Sequence, residues 1–163
     1  SVRVGLAVAT AIASVAPEAP AVALKWPNDL YLGGRKLGGI LCEARWQGAE
    51  LAWIVAGIGI NVRNPIPGEV AAIATSLAAV APRLTPEELA EPVAHLVAAR
   101  AGAGGPLTPM ELAEFDRRDF LRGRPVAEPF AGVASGIDRS GALAIQGDDG
   151  RTHLALAGTV VLA

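Results

Sequence analysis

The sequence predicts an α+β protein in which an antiparallel or mixed sheet is flanked by helices and followed by a small all-β barrel. Three observations carry that expectation. Val4, Val8, Ala11, Ile12 and Val15 recur at helical spacing until Pro17 and Pro20 stop the pattern. From Ala21 to Ile60 short β-prone runs alternate with turn residues. Beyond Phe120 helical spacing ceases, and Gly123, Gly132, Gly136, Gly141, Gly147, Gly150 and Gly158 punctuate short apolar runs.

The elements follow in order. After the first helix, Ala21 to Lys25 reads as a strand and Pro27-Asn28-Asp29 as a turn. Leu30 to Leu32 pairs with Lys36 to Trp46 across Gly33-Gly34, and Gln47-Gly48 turns the chain into Leu51 to Ile60, giving an antiparallel meander. Asn64 to Gly68 is a loop, and Val70 to Val80 reads as an Ala-rich helix. Thr85-Pro86-Glu87-Glu88 and Thr108-Pro109-Met110-Glu111 carry capping-box signatures with Pro at the first helical position, so two more helices follow, the first bent at Pro92. Ala101 to Pro106 is a flexible connection between them. The chain divides into residues 1–119 and a barrel over 120–163, which at 44 residues is marginal alone and is expected to dock on the first unit.

Composition narrows the function classes. The 163 residues are 52% apolar but only 4% aromatic, as in a soluble domain built from Ala, Val, Leu and Ile. Fourteen basic and sixteen acidic side chains give a net charge of −2 with no basic block, which argues against DNA as a partner. A single cysteine, Cys42, excludes an intrachain disulfide and a cysteine-based zinc cluster, and agrees with a reducing, cytoplasmic setting. Arg3 and the apolar run behind it imitate a secretory signal, but the helical spacing favours a packed helix, and the run is too short to span a membrane.

Several residues have chemistry to offer. Lys25-Trp26-Pro27-Asn28-Asp29 places a cation, a ring and two oxygen-bearing side chains at a strand end, although Asn-Asp after Pro is also ordinary turn chemistry and Trp26 also suits a core. Lys36 opens the next strand ahead of Gly38-Gly39, whose missing side chains mark a close approach by a ligand or another backbone. A lysine there can neutralise a phosphate or carboxylate, or simply be a solvated strand end. Gly57-Ile58-Gly59 is not a Rossmann or P-loop glycine motif, because no helix opens behind it and no Walker lysine follows. Asn61 suits hydrogen bonding to an adenine edge or a phosphate, or ends its strand. His95 and His153 lie far apart and near no cysteine or carboxylate cluster, so no protein metal site is expected. Arg122-Gly123-Arg124 reads as a turn into the barrel.

Lys25-Trp26-Pro27-Asn28-Asp29-Leu30-Tyr31, Lys36-Leu37-Gly38-Gly39-Ile40-Leu41-Cys42-Glu43 and Gly57-Ile58-Gly59-Ile60-Asn61-Val62 together resemble, in order and spacing, the signature of biotin protein ligases. Thr75-Ser76-Leu77 matches a further short element, and Gly136 to Leu143 with Gly158-Thr159-Val160 resembles the family's SH3-like C-terminal domain. The resemblance implies a class II synthetase-like fold and a biotin–[acetyl-CoA-carboxylase] ligase. In that reaction biotin and ATP give biotinyl-5′-adenylate, and a lysine of a biotin carboxyl carrier domain then takes the biotinyl group. It implies that Lys36 is catalytic, touching the biotin carboxylate and the α-phosphate. Asn28 and Asp29 would arrange the nucleotide and its Mg²⁺, Asn61 would bind the adenylate, and Lys25, Trp26, Gly38, Gly39 and Gly59 would complete the binding surface. Mg²⁺ would rest mainly on phosphates and water. A homodimer formed through the sheets is the family's analogy.

Departures set the alternatives. The family's upstream strands, and the glycine- and arginine-rich loop that closes over biotin, have no counterpart here, so the chain is expected to be an N-terminally truncated copy. The repressor-type DNA-binding domain is not matched either. The runner-up activity is a lipoate-type acyl ligase, and from a different class comes a non-catalytic module that pairs with another chain.

Overall fold

The computed structural model describes residues 1–163, except for the side chains of Leu51 and Ala101. Helix α1 spans Val2–Val15, and four strands follow: β1 (Ala23–Lys25), β2 (Asp29–Leu32), β3 (Arg35–Gln47) and β4 (Glu50–Ile60). They form an antiparallel sheet in the order β1-β2-β3-β4. Helices α2 (Pro86–Ala101) and α3 (Pro109–Asp116) come next. Both begin in complete capping boxes, with Thr85 paired to Glu88 and Thr108 to Glu111, and α2 runs on through Pro92. None of the described helices is long and apolar enough to cross a membrane.

Alternation along the strands decides which face is buried. Leu24, Leu30 and Ile40 turn inward beneath α1, whose Leu6, Val8, Ala11 and Ile12 are fully enclosed. Gly5 lets the helix settle onto the sheet, since a Cβ there would already touch Leu24 at 3.4 Å and Ile40 at 3.6 Å. Lys25, Asp29 and Gly39 therefore fall on the opposite face.

The helix expected over Val70 to Val80 does not form. Two short 3₁₀ turns, Gly68–Val70 and Leu77–Ala79, flank a further turn over residues 71–73 and a short extended stretch that begins where Ala74 bridges to Lys36. This backbone is bound by its neighbours: Lys36 N–H donates to Ile73 O at 2.7 Å, Thr75 N–H to Lys36 O at 2.9 Å, and Leu77 N–H to Asn61 O at 2.8 Å. Bonds to two strand ends outweigh the few tenths of a kcal/mol per residue that alanine gives a helix.

The C-terminal portion is a second antiparallel sheet of β5 (Pro125–Glu128), β6 (Gly132–Ile137), β7 (Leu143–Gln146), β8 (Thr152–Ala155) and β9 (Val161–Leu162). Its order is β8-β7-β6-β5-β9, and β8 and β9 are not paired with each other, so the ladder is an open five-stranded sheet where a closed barrel was expected. It docks on the first sheet as anticipated: Leu143, Ile145 and Val126 belong to the same buried cluster as Leu24, Leu30 and Ile12.

Candidate functional site

Register brings the candidate residues together. Lys25 pairs with Asp29, Asp29 with Gly39, and Gly39 with Gly59, so these four residues form one row across all four strands. Cross-strand partners share a face, and this row lies on the side away from α1. A bulge between Leu30 and Tyr31 shifts the register of β2, so that Tyr31 pairs with Lys36 on the same face. Without it, the one-residue offset would send Lys36 to the other side.

The polar end of the row is held by an ion pair. Lys36 Nζ lies 2.6 Å from Asp29 Oδ1, with the lysine about half exposed and the carboxylate more sheltered. Such a pair adds little stability. Its consequence is positional: a flexible ammonium is fixed over a strip where Gly39 and Gly59 present only backbone. A Cβ at Gly39 would meet Asp29 Oδ1 at 3.4 Å and Lys36 Cε at 4.0 Å, so the glycine leaves both charged groups reachable. Burial raises the Tyr31 phenol above its usual pKa; Asp29 adds to this and Lys36 opposes it, and the hydroxyl stays protonated at neutral pH.

Asn28 and Asn61 bracket the row. Asn28 Nδ2 donates to Ile40 O at 2.9 Å while its own carbonyl accepts from Ile40 N–H at 2.8 Å, clamping the turn onto β3. Asn61 Nδ2 donates to Thr75 O at 3.1 Å, and its Oδ1 accepts from Asn64 Nδ2 at 3.0 Å. Thr75, buried to 4%, thus belongs to a segment that bonds Lys36 through its backbone N–H and Asn61 through its carbonyl.

Two of the expected site residues stand apart. Trp26 is 3% exposed, and its Nε1–H donates to Gly141 O at 2.9 Å, so its ring is wedged into the core. Gly38 is glycine for a backbone reason, because a Cβ there would run into the carbonyl oxygen of Gly59. The carbonyl that receives Trp26 is itself built by sequence. Asp138 Oδ1 accepts from Ser140 N–H, Ser140 Oγ–H and Ala142 N–H, which closes a turn with Gly141 at φ +85°. These bonds, led by the Ser140 hydroxyl, hold the Asp138 carboxyl below its usual range.

The structure adds residues that spacing alone does not select. Leu41 pairs with Gly57 and Glu43 with Val55, continuing the face of Gly39 and Gly59 along the β3–β4 ribbon. Leu41 is 62% and Val55 52% exposed, so the polar row opens onto an uncovered apolar strip floored by glycine. Gly57 is legible only once its pairing is known. Among the described residues no group of three or more His, Cys, Asp and Glu could hold a metal ion.

Residues 2–61, which contain α1 and the whole row, match the model of the Biotin/lipoate A/B protein ligase family. The chain is 33% identical over 174 aligned positions to the biotin–[acetyl-CoA-carboxylase] ligase of Mycobacterium tuberculosis, covering 99% of itself and 61% of that protein. It is 31% identical over 160 positions to the enzyme of the same name from Paracoccus denitrificans, covering 90% of itself and 65% of that protein. Residues 2–61 thus belong to the biotin/lipoate protein ligase family. The fold of the chain agrees: a biotin protein ligase from Aquifex aeolicus, solved in complex with biotin and ATP, superposes with a TM-score of 0.77 at 24% identity, over 99% of this chain and 69% of that one. The chain spans less than two thirds of the length of the two curated relatives. Its row of Lys25, Asp29, Gly39 and Gly59, with Lys36 above it, lies wholly within the segment that the family model matches.

Proposed function

We propose that the chain carries the nucleotide- and acyl-phosphate-facing part of a biotin–protein ligase site. The observation that carries this reading is the Lys36–Asp29 pair set over a glycine-floored strip. The reaction needs a carboxylate and a polyphosphate, both anionic, to be brought together without mutual repulsion, which asks for a fixed cation and an approach free of side chains.

In the first step a biotin carboxylate oxygen attacks the α-phosphorus of ATP. The bond to the β-phosphate oxygen breaks, and pyrophosphate leaves with its electron pair. Lys36 contacts the carboxylate and the α-phosphate, offsetting the charge that builds between them. Lys25, one row position beyond Asp29, meets the nucleotide's phosphates, and Asn61 with the Thr75 segment receives the adenylate. Asn28 holds the turn that carries Asp29, and Trp26 acts through its anchor to Gly141. In the second step the neutral amine of a carrier lysine attacks the acyl carbon, AMP departs, and the amine loses a proton. The partner is then a biotin carboxyl carrier domain of a biotin-dependent carboxylase.

The donor set fits Mg²⁺ that arrives on the nucleotide: Asp29 supplies one carboxylate, and the described residues offer no cluster able to cage a bare ion. Bound there, the ion would neutralise phosphate charge. We further propose a unit boundary near residue 119, with residues 120–163 as the SH3-like portion.

A lipoate-type ligase is the second reading, favoured by the breadth of the matched family. Thermal-shift series with biotin, lipoate and Mg²⁺-ATP separate the two, because a ligand that binds the native state raises its melting temperature. Stabilisation by biotin and by ATP is the expected outcome. Stabilisation by lipoate in place of biotin selects the second reading, and no response to either acid or to ATP overturns both.

A further inference from the structure

The row has a further neighbour on its own face. Leu24 bridges in parallel to Asp119, with Leu24 N–H donating to Arg118 O at 2.7 Å and Phe120 N–H to Leu24 O at 3.0 Å. Residues 118–120 thus extend the first sheet by one short step beyond β1, just before the chain enters the second sheet. Asp119 takes the buried face with Leu24, and Phe120 takes the face of Lys25 and Tyr31.

On that face four side chains stack in sequence. Lys25 Nζ stands 6.0 Å from the centre of the Tyr31 ring. The Tyr31 ring lies 4.2 Å from that of Phe120 at a tilt of 31°. The Arg124 guanidinium covers Phe120 at 4.1 Å. Arg124 lies well inside the range over which a ring attracts a cation and Lys25 at its outer limit, while the two rings are packed slightly closer than aromatic pairs usually are. A free lysine has a long, mobile stem, whereas a tyrosine has two torsions and here one side of its ring is packed. The order of the stack therefore runs from the rigid, twice-anchored Phe120 to the mobile Lys25.

Resting on the ligase reading above, we propose that Phe120 and Arg124 are positioning residues that fix Tyr31, and through it Lys25, for the polyphosphate of ATP. The C-terminal portion thereby enters nucleotide binding without touching the nucleotide. Arg124, which reads in the sequence as part of a turn, caps the stack.

A double-mutant cycle tests this on the whole chain, with binding of a non-hydrolysable ATP analogue read by calorimetry. Phe120→Ala should weaken binding about fivefold and Lys25→Met about tenfold. Because the first acts through the second, the double variant should be no worse than Lys25→Met alone. Phe120→Tyr, which keeps a ring, should restore affinity, whereas Phe120→Leu, which keeps only apolar volume, should not. Losses that multiply to about fiftyfold, or full rescue by Phe120→Leu, overturn the proposal and leave Phe120 a packing residue. Should Phe120→Ala fail to fold, Arg124→Ala removes an exposed guanidinium without opening the core and serves in the same cycle. A wild-type chain that does not bind the analogue overturns the ligase reading itself, a result distinct from normal binding with multiplicative losses.

Discussion

At single residues, the candidate site rests on what is missing as much as on what is present. Gly38 and Gly59 belong to facing strands whose backbones approach so closely that a methyl on Gly38 would overlap the Gly59 carbonyl. Gly38→Ala should therefore cost about 3 kcal/mol, read as a lower denaturation midpoint with an unchanged slope. Gly39→Ala meets only side-chain ends and a carbonyl at 3.4 to 4.0 Å, so it should fold almost normally and lose ligand affinity instead. Lys36 is the reverse case. Half exposed and paired with Asp29, it can be replaced by Met at little cost in stability. Pyrophosphate release on addition of biotin and ATP should then fall by about 100-fold or more relative to the unmodified protein. Comparable rates for the two would remove Lys36 from the reaction. Lys36 and Gly39 stood out in the sequence because a lysine ahead of a glycine pair marks a close approach in a strand, and Asp29 because it lies in the motif that resembles the family; that Lys36 and Asp29 pair came from the structure. Tyr31 did not stand out, because its face depends on a bulge that no local pattern announces.

Elements show where local preference held and where it yielded. Both capping boxes formed as read, since Thr, Pro and Glu within four residues satisfy their own backbone without outside help. The Ala-rich stretch from Val70 to Val80 did not become a helix, because the strand ends at Lys36 and Asn61 took the carbonyl of Ile73 and the N–H groups of Thr75 and Leu77. The Gly-rich connection near residue 103, which the sequence marks as flexible, is tied to α1. Arg3, on α1, donates to the carbonyls of Ala103, Gly105 and Pro106 and pairs with Glu111 of α3 at 2.6 Å. The Arg3 hydrogen bond, helped by the backbone N–H of Thr108, lowers the Glu111 carboxyl to about 2 from 4.5. A carboxylate with a depressed folded-state pKa stabilises the protein above its unfolded value and loses that contribution as pH falls through the folded one. Stability should thus decline between about pH 4.5 and 2 by on the order of 2 kcal/mol, and Arg3→Met should flatten that part of the profile in urea titrations. A profile equally steep in both proteins would assign the acid loss to other groups.

For the molecule as a whole, one buried cluster joins the two sheets, running from Ile12 and Leu30 through Leu121 to Leu143 and Ile145. Calorimetry and tryptophan fluorescence should accordingly report one coincident transition, although the chain divides into two topological units. Two separated transitions would show that residues 120–163 fold on their own. The joint carries a strained group. Asp119 has Oδ1 bonded to Leu121 N–H, but Oδ2 is buried without a partner, and desolvation raises its pKa despite the opposing backbone bonds and the Arg122 charge. A carboxyl with a raised folded-state pKa binds more protons folded than unfolded, so its burden is greatest at neutral pH and eases in acid. Asp119→Asn keeps the Oδ1 bond and removes the charge. The melting temperature should rise at pH 7, with the gain vanishing as the pH approaches the ordinary carboxylate range. A loss at pH 7 would mean that the charge is compensated.

By itself the sequence determined the element types with self-contained signals: α1 from its apolar spacing, α2 and α3 from their caps, and the meander from its glycine turns. It also determined the chemistry available near Lys36, because those groups lie within a few residues of one another along two strands. Only the tertiary structure decided which side chains share a face. It turned Trp26 into the core, set Lys25, Asp29, Gly39 and Gly59 in one row, and brought Phe120 beside Tyr31, 89 positions away in the chain. It also left the second sheet open and drew residues 73–77 into hydrogen bonds with distant strand ends. The physical reason is the same throughout. Register, bulges and cross-chain hydrogen bonds are set by partners far away in sequence, and a one-residue change in any of them moves a side chain to the opposite face.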